Sequence, residues 1–149
     1  MKTQNFFRGA CLAILLAGTF LQAGTVTGDW KTIDDETGLT KSIVRISQSA
    51  DGELEGKVVE ILHSEQGPNP ICKECPGDRK GKPIKGMVIL WGMKESGENS
   101  WKGGEILDPK KGKIYRAKLK LREDGKLEVR GFIGFSLIGR TQVWEPLEE

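Results

Sequence analysis

The fold class of this chain is decided by Lys113–Leu121 (KIYRAKLKL), Arg122–Gly125 (REDG) and Lys126–Arg130 (KLEVR). From Tyr115 onward in the first segment, and throughout the third, every second residue is apolar and charged residues lie between, which is typical of β-strands with one buried face. The Asp-Gly pair that ends the middle segment is a strong hairpin signal, because both turn positions require positive φ. The three segments therefore predict an antiparallel hairpin.

The same pattern extends over the rest of the chain. Asp51-Gly52 lies between two further alternating runs, Ser42–Ser49 and Glu53–Leu62. Four more short runs lie at Val26–Ile33, Met87–Met93, Ser100–Leu107 and Ile138–Trp144. Eight strands with no helical periodicity between them predict an all-β protein. A single closed antiparallel barrel would leave no exposed strand edge, and a two-sheet sandwich is the alternative.

The N-terminal segment has the composition of a secretory leader. Lys2 and Arg8 precede Ala10–Leu21, an apolar stretch that would span roughly 18 Å as a helix, short of the roughly 30 Å of a bilayer core. Leu21-Gln22-Ala23 offers a small residue for cleavage before Gly24. We expect a cleaved signal peptide at 1–23, one domain at 24–149, and a periplasmic or secreted protein that is not integral to the membrane. An uncleaved anchor is the alternative.

Composition excludes several classes of function. The full chain has 23 Lys and Arg, 21 Asp and Glu, and one His. Removal of Lys2 and Arg8 with the leader leaves the two signs in balance, which argues against nucleic-acid binding. A single histidine excludes zinc sites that need two, and we expect no metal and no cofactor.

The longest connection, 63–85, contains the only cysteines outside the leader, Cys72 and Cys75. In an exported chain this pair is read first as a disulfide. A redox dithiol, with a thiolate stabilised by Lys73 and the basic residues nearby, and half of a zinc site are the alternatives. A loop of this length in a compact domain is usually functional or mobile.

Several polar residues have a structural and a functional interpretation. His63 is either a solvated residue or a general base, and no motif supplies its partner. Asp34–Glu36 is either an acidic turn or a weak calcium loop, and Asp108 either begins a turn or has a functional role. The basic residues of Arg79–Lys85 and Lys110–Lys113 are either solvated or face anionic envelope components. Without a visible acid–base or nucleophile pair, we expect the protein not to be an enzyme.

The aromatic and apolar residues are expected to form the core. Trp30, Trp91, Trp101, Tyr115 and Trp144 carry most of the apolar volume. If the barrel holds a cavity, its best lining candidates are Tyr115, Leu119, Leu127 and Val129, with Gly131 leaving room on the same face.

Two resemblances extend this interpretation. Gly28-Asp29-Trp30 and the late Arg140 resemble the lipocalin and calycin signature, which implies an arginine covering the tryptophan at the closed barrel end. A set of motifs over nearly all of the chain resembles the bacterial family called "domain of unknown function 2147". The set comprises Gly28-Asp29-Trp30, Asp51-Gly52, Cys72-x-x-Cys75, Gly104–Pro109, Gly112-Lys113-x-Tyr115, Val129–Gly131 and Gly139–Trp144. This resemblance implies an envelope location and a β-barrel, and no particular activity.

The sequence therefore predicts an exported, monomeric, lipocalin-like barrel that binds a small apolar or amphipathic ligand or an envelope component. The alternative is a filled barrel that acts as an interaction or adaptor protein through the 63–85 loop.

Overall fold

The computed structural model describes residues 25–148 and shows a closed barrel of eight antiparallel strands in chain order. The strands are β1 Gly28–Ile33, β2 Thr40–Gln48, β3 Leu54–Ile61, β4 Val88–Gly97, β5 Ser100–Asp108, β6 Lys113–Leu121, β7 Leu127–Phe132 and β8 Gly139–Pro146. The one helical element among these residues is a short 3₁₀ turn at Gly77–Arg79. No helix in this part of the chain is long and apolar enough to cross a membrane. The predicted leader at 1–23 lies outside the described residues.

The barrel closes where the first strand pairs with the last. Trp30 lies opposite Pro146 and Lys31 opposite Glu145 in the β1–β8 ladder. The other seven ladders join strands that are consecutive in the chain. Closure gives every strand two hydrogen-bonded neighbours, which removes the exposed edges of an open sheet. The closed-barrel prediction is therefore confirmed, and the sandwich alternative is wrong.

Alternation decides which side chains enter the barrel. On β6 the residues from Tyr115 to Leu121 at odd positions are buried or half-buried, whereas Arg116, Lys118 and Lys120 are exposed. The predicted turn at Asp124-Gly125 is present, but the expectation of positive φ at both positions is wrong. Only Gly125 has a positive φ, of 78°, and its backbone N–H donates to the Arg122 carbonyl oxygen. The β6–β7 hairpin therefore forms as its alternating sequence predicts.

Strand β4 is longer than its apolar pattern indicates. The alternation ends at Met93, but pairing with β5 continues to Gly97, which lies opposite Ser100. The last four residues of β4 are all exposed. Backbone hydrogen bonds extend this hairpin into solvent, where no side-chain pattern is needed to specify it.

The two ends of the barrel differ. At the end that carries the β2–β3, β4–β5 and β6–β7 turns, hereafter the floor, large side chains fill the interior. Trp30 is buried there and its Nε1 donates to the Val26 carbonyl oxygen at 2.9 Å. Other buried residues in this half are Ile46, Leu54, Met93, Leu119, Leu121 and Leu127. The opposite end, hereafter the mouth, carries the β1–β2, β3–β4, β5–β6 and β7–β8 connections.

Candidate functional site

The mouth half of the barrel encloses a cavity of ≈ 540 Å³. Its lining includes residues from all four mouth connections, which surround the opening. Eight-stranded barrels have an interior just wide enough to be filled by side chains or to hold one small ligand. In this chain side chains fill the floor half, whereas the mouth half is left open.

Apolar side chains form most of the inner wall. The sequence predicted that Tyr115, Leu119, Leu127 and Val129 would line a cavity. Tyr115 and Val129 line it, whereas Leu119 and Leu127 do not and are buried in the packed floor. Further apolar residues on the wall are Val58, Ile61, Ile84, Ile89, Ile106, Leu107, Ile133, Ile138 and Trp144.

Gly131 leaves space on the wall as expected. A Cβ built there would lie 3.4 Å from both Ile106 Cγ2 and Tyr115 Cβ, which is the short limit of normal van der Waals contact. Gly131 also borders the cavity. A side chain longer than one methyl group at this position would therefore project into the open volume.

The polar groups on the deeper wall are paired with one another. The hydroxyls of Thr32 and Ser42 lie 2.8 Å apart, and Thr32 Oγ1 also accepts from the Ser42 backbone N–H at 3.1 Å. On β8 the Trp144 Nε1 donates to Gln142 Oε1 at 3.1 Å. These two pairs of groups therefore satisfy much of one another's hydrogen-bonding capacity.

Charged residues form the rim of the cavity. Arg140, at the start of β8, donates to the Asp35 carboxylate and lies 3.1 Å from Glu36 Oε1. The hydrogen bond from Arg140 holds the pKa of Asp35 below its ordinary value, although partial burial opposes this shift. Lys110 Nζ lies 3.4 Å from Glu65 Oε1. Ion pairs with exposed side chains therefore link neighbouring connections around the rim. Lys41 and Lys111 also border the opening.

Trp30 and Arg140 do not form the expected stacked pair. Trp30 lies in the floor beside Pro146, whereas Arg140 stands six positions earlier on β8 and faces Asp35 at the mouth. A strand advances about 3.3 Å per residue, so the two positions are separated by roughly 20 Å along the barrel wall. The lipocalin-like expectation for this arginine is wrong in position, because Arg140 belongs to the rim.

Cys72 and Cys75 form a disulfide, as predicted. Both residues are buried, and Cys72 Sγ lies 3.2 Å from the Pro109 carbonyl oxygen of the β5–β6 turn. The loop that contains them is ordered by backbone hydrogen bonds, with Ile71 bridged to Pro83. Its basic segment is also held, because the Arg79 guanidinium lies 4.6 Å from the centre of the Trp91 ring on β4. The disulfide therefore stabilises a folded loop that packs on the barrel.

The remaining candidates lie at the rim. Asp108 Oδ1 accepts from the backbone N–H groups of Lys110 at 2.9 Å and Lys111 at 3.2 Å, which fixes the β5–β6 turn. Asp34 does the same for Glu36 and Thr37 in the β1–β2 connection. His63 is exposed beside the opening. Within residues 25–148 no three His, Cys, Asp or Glu side chains converge to form a metal site.

Sequence reasoning missed the contribution of the β7–β8 connection. Ile133 and Ile138 both line the cavity, although Ile133 lies outside any predicted run and Ile138, the first residue of the predicted run Ile138–Trp144, precedes β8. A signal was available, because the segment 131–139 (GFIGFSLIG) is unusually apolar for a loop between glycines. Neither strand periodicity nor turn chemistry explains that composition.

A closed eight-stranded antiparallel barrel with an apolar cavity at one end is the architecture of lipocalin-like proteins. The chain belongs to the family described as "Uncharacterized protein conserved in bacteria (DUF2147)", whose model matches residues 28–146. Among solved structures it is similar to protein HP1028 from Helicobacter pylori, which is described as belonging to the lipocalin family. The two share 20% sequence identity with a TM-score of 0.73, and the match covers 85% of each chain, which establishes a shared fold. No curated protein matches this chain.

Proposed function

We propose that this protein is a non-enzymatic binding protein that holds one small amphipathic ligand in the mouth cavity. The apolar part of the ligand would lie against Tyr115, Ile106 and Val129, and its polar end would lie at the charged rim. The observation that carries the proposal is the ≈ 540 Å³ cavity with its mainly apolar wall. Ligand sites of about 300–1,000 Å³ are typically apolar, with a few placed polar groups.

We also propose that the protein works in the periplasm. The leader-like composition of 1–23 and the buried Cys72–Cys75 disulfide support export, because disulfides persist in oxidising compartments. The balance of 21 acidic and 21 basic residues that remains after the leader gives no general attraction to nucleic acid.

The filled-barrel adaptor is the weaker candidate. It requires a barrel without a cavity, whereas the mouth half of this barrel is open. The adaptor also requires an accessible 63–85 loop, and most side chains of this loop are exposed, but both cysteines are buried. No observation on the described residues favours it over the binding protein.

The first experiment is native mass spectrometry of protein purified from the periplasm of cells that express the full chain. A stoichiometric extra mass that disappears under denaturing conditions would identify a bound ligand and begin to define its chemistry. A bare protein mass would require the second experiment, in which an apolar probe is offered to the empty cavity.

The second experiment uses dansyl-labelled undecanoic acid and the variant Gly131→Leu. We expect saturable fluorescence enhancement with the wild type and at least about tenfold weaker binding to Gly131→Leu, because the leucine occupies the cavity. Lys120→Leu places the same side chain on the outer face of β6 and should bind as the wild type does. Absence of both a bound mass and probe binding, or equal binding by a folded Gly131→Leu, would show the proposal to be wrong.

A further inference from the structure

The β7–β8 loop, 133–138, presents large apolar side chains to solvent. Ile133 is 62% exposed, Phe135 80%, Leu137 90% and Ile138 69%. Contiguous exposed apolar groups on a monomer mark an interaction site more often than single ones do. Ile133 and Ile138 also border the cavity, but Phe135 and Leu137 do not. Ligand binding in the cavity therefore leaves these two side chains unexplained.

The loop is held in this conformation by polar contacts. Arg130 on β7 donates from Nε and Nη2 to the Ser136 carbonyl oxygen at 2.8 and 2.6 Å, and from Nη2 to the Leu137 carbonyl oxygen at 3.3 Å. The Ile138 backbone N–H donates to the Phe135 carbonyl oxygen at 3.0 Å. The Arg130 guanidinium thus holds the backbone of the 133–138 loop in place, while the side chains of Phe135 and Leu137 remain exposed to solvent.

Two cations lie on the outer face of β6 beside the base of this loop. Arg116 and Lys118 project from the outer face of β6, next to the loop, and lie 5.7 and 5.5 Å from the centre of the Phe132 ring. Lys118 lies opposite Arg130 in the β6–β7 ladder. The cavity rim adds no net charge, because four acidic residues balance its four basic ones, Lys41, Lys110, Lys111 and Arg140. An apolar tip with basic groups beside it is the arrangement of surfaces that bind anionic membranes.

We propose that the mouth end of the barrel docks on a phospholipid bilayer that contains anionic lipids. Phe135 and Leu137 enter the interfacial region, and Arg116 and Lys118 contact the headgroups. This orientation turns the cavity opening toward the lipid. A second copy of this chain fits this surface less well than a membrane does. A symmetric contact through the same face would bring Arg116 and Lys118 of one copy close to those of the other. The proposal does not depend on whether the cavity holds a ligand.

The test is vesicle sedimentation of protein purified from cells that express the full chain. Vesicles of phosphatidylethanolamine with phosphatidylglycerol are compared with vesicles of phosphatidylcholine alone. We expect binding to the anionic vesicles that weakens as salt is raised and is much weaker on the zwitterionic ones. The double variant Phe135→Ser/Leu137→Ser should lower the partition coefficient at least about tenfold. Leu147→Ser, which removes a 41% exposed leucine at the floor end, should leave it unchanged.

The contribution of the cations to vesicle binding is tested with two double variants, each of which removes two positive charges. Arg116→Gln/Lys118→Gln should weaken binding to anionic vesicles about tenfold or more. Lys57→Gln/Lys94→Gln, on exposed positions of β3 and β4 across the barrel, should change it little. Thermal unfolding of each variant establishes that it is folded, so loss of binding is not loss of structure.

Three outcomes would overturn the proposal. One is the absence of vesicle binding by the wild type, and a second is equal binding by a folded Phe135→Ser/Leu137→Ser variant. The third is a stable dimer, measured by light scattering, that this variant dissociates while vesicles have no effect, which would assign the loop to a second copy. Probe binding in the cavity is measured separately, so failure of vesicle binding does not affect the proposed ligand-binding function.

Discussion

Gly112 meets two structural demands at one residue. Its φ of 64° lies in the left-handed region, as expected for a glycine in the β5–β6 turn. A Cβ at this position would also collide with Glu74 of the cysteine loop, within about 2 Å of its backbone carbonyl group. The sequence predicts the first demand from turn chemistry, but not the second, because the contact joins segments almost forty residues apart.

The two demands can be separated by comparing two glycines. Gly125 lies at φ 78°, and a Cβ added there would meet no atom within 4 Å beyond its chain neighbours, so Gly125→Ala should cost only about 1 kcal/mol of backbone strain. Gly112→Ala should lower the free energy of unfolding by at least about 1 kcal/mol more, since the Glu74 backbone must also move to make room for the Cβ. Urea denaturation measures both values. Equal losses would mean that the cysteine loop yields without cost.

For Arg140 the sequence predicts the correct strand but the wrong end of the barrel. Its position on the last strand was identified, but pairing with Trp30 depends on how far each residue lies along its strand. The ladder register places Trp30 opposite Pro146, which leaves Arg140 at the mouth with Asp35. A short motif fixes which strand a residue occupies, whereas the end of the barrel it reaches depends on pairing between distant strands.

The Asp35–Arg140 pair predicts a limited pH dependence. Because the pKa of folded Asp35 is lowered, the pair stabilises the fold above about pH 4 and this contribution is lost as the pH falls through the folded value. Asp35→Asn should therefore reduce the free energy of unfolding by no more than about 1 kcal/mol from pH 8 to pH 5, since the pair is partly exposed. Unfolding curves measured down to pH 3 should show the difference between wild type and variant shrinking. A difference that grows toward low pH would contradict this assignment.

At the scale of elements, the strands follow from sequence better than the connections do. Period-two alternation and Asp-Gly turns locate β6 and β7 because both signals are local. The same alternation identifies Leu119, Leu127, Tyr115 and Val129 as inward residues but not their depth. Depth depends on strand tilt and stagger, which arise only when the barrel closes. This is why two of the four line the cavity and two belong to the floor.

The cysteine loop offers a prediction at this scale. Replacing both cysteines, Cys72→Ala/Cys75→Ala, should cost roughly 2 kcal/mol for a loop of this size in the chain-entropy model. Addition of a reductant should lower the stability of the wild type toward that of the variant and leave the variant unchanged. Because Pro70 and Ile84 of this loop border the cavity, the variant should also bind the dansyl probe more weakly. Unchanged stability in reductant would show that the barrel alone holds the loop.

At the scale of the whole molecule, the barrel divides stability and binding between its two ends. The floor contains Trp30, Leu54, Met93 and Leu127 in a packed interior, where every lost methyl group leaves a void. The mouth keeps an open volume bounded by connections and exposed ion pairs, which contribute little to stability. The filled floor therefore stabilises a fold whose other end is left unpacked.

This division of roles predicts that a substitution in the floor affects stability, whereas a substitution at the mouth affects ligand affinity. Leu127 is fully buried in the floor and does not border the cavity, so Leu127→Ala should lower the free energy of unfolding by about 2–5 kcal/mol. Its affinity for the dansyl probe, measured where the variant is still folded, should remain close to that of the wild type. Ile138 is largely exposed at the mouth, so Ile138→Ser should change stability by less than about 0.5 kcal/mol and weaken probe binding. If Leu127→Ala lowered the affinity for the dansyl probe as much as Ile138→Ser does, the two ends of the barrel would be coupled. The floor would then have to be counted as part of the binding site.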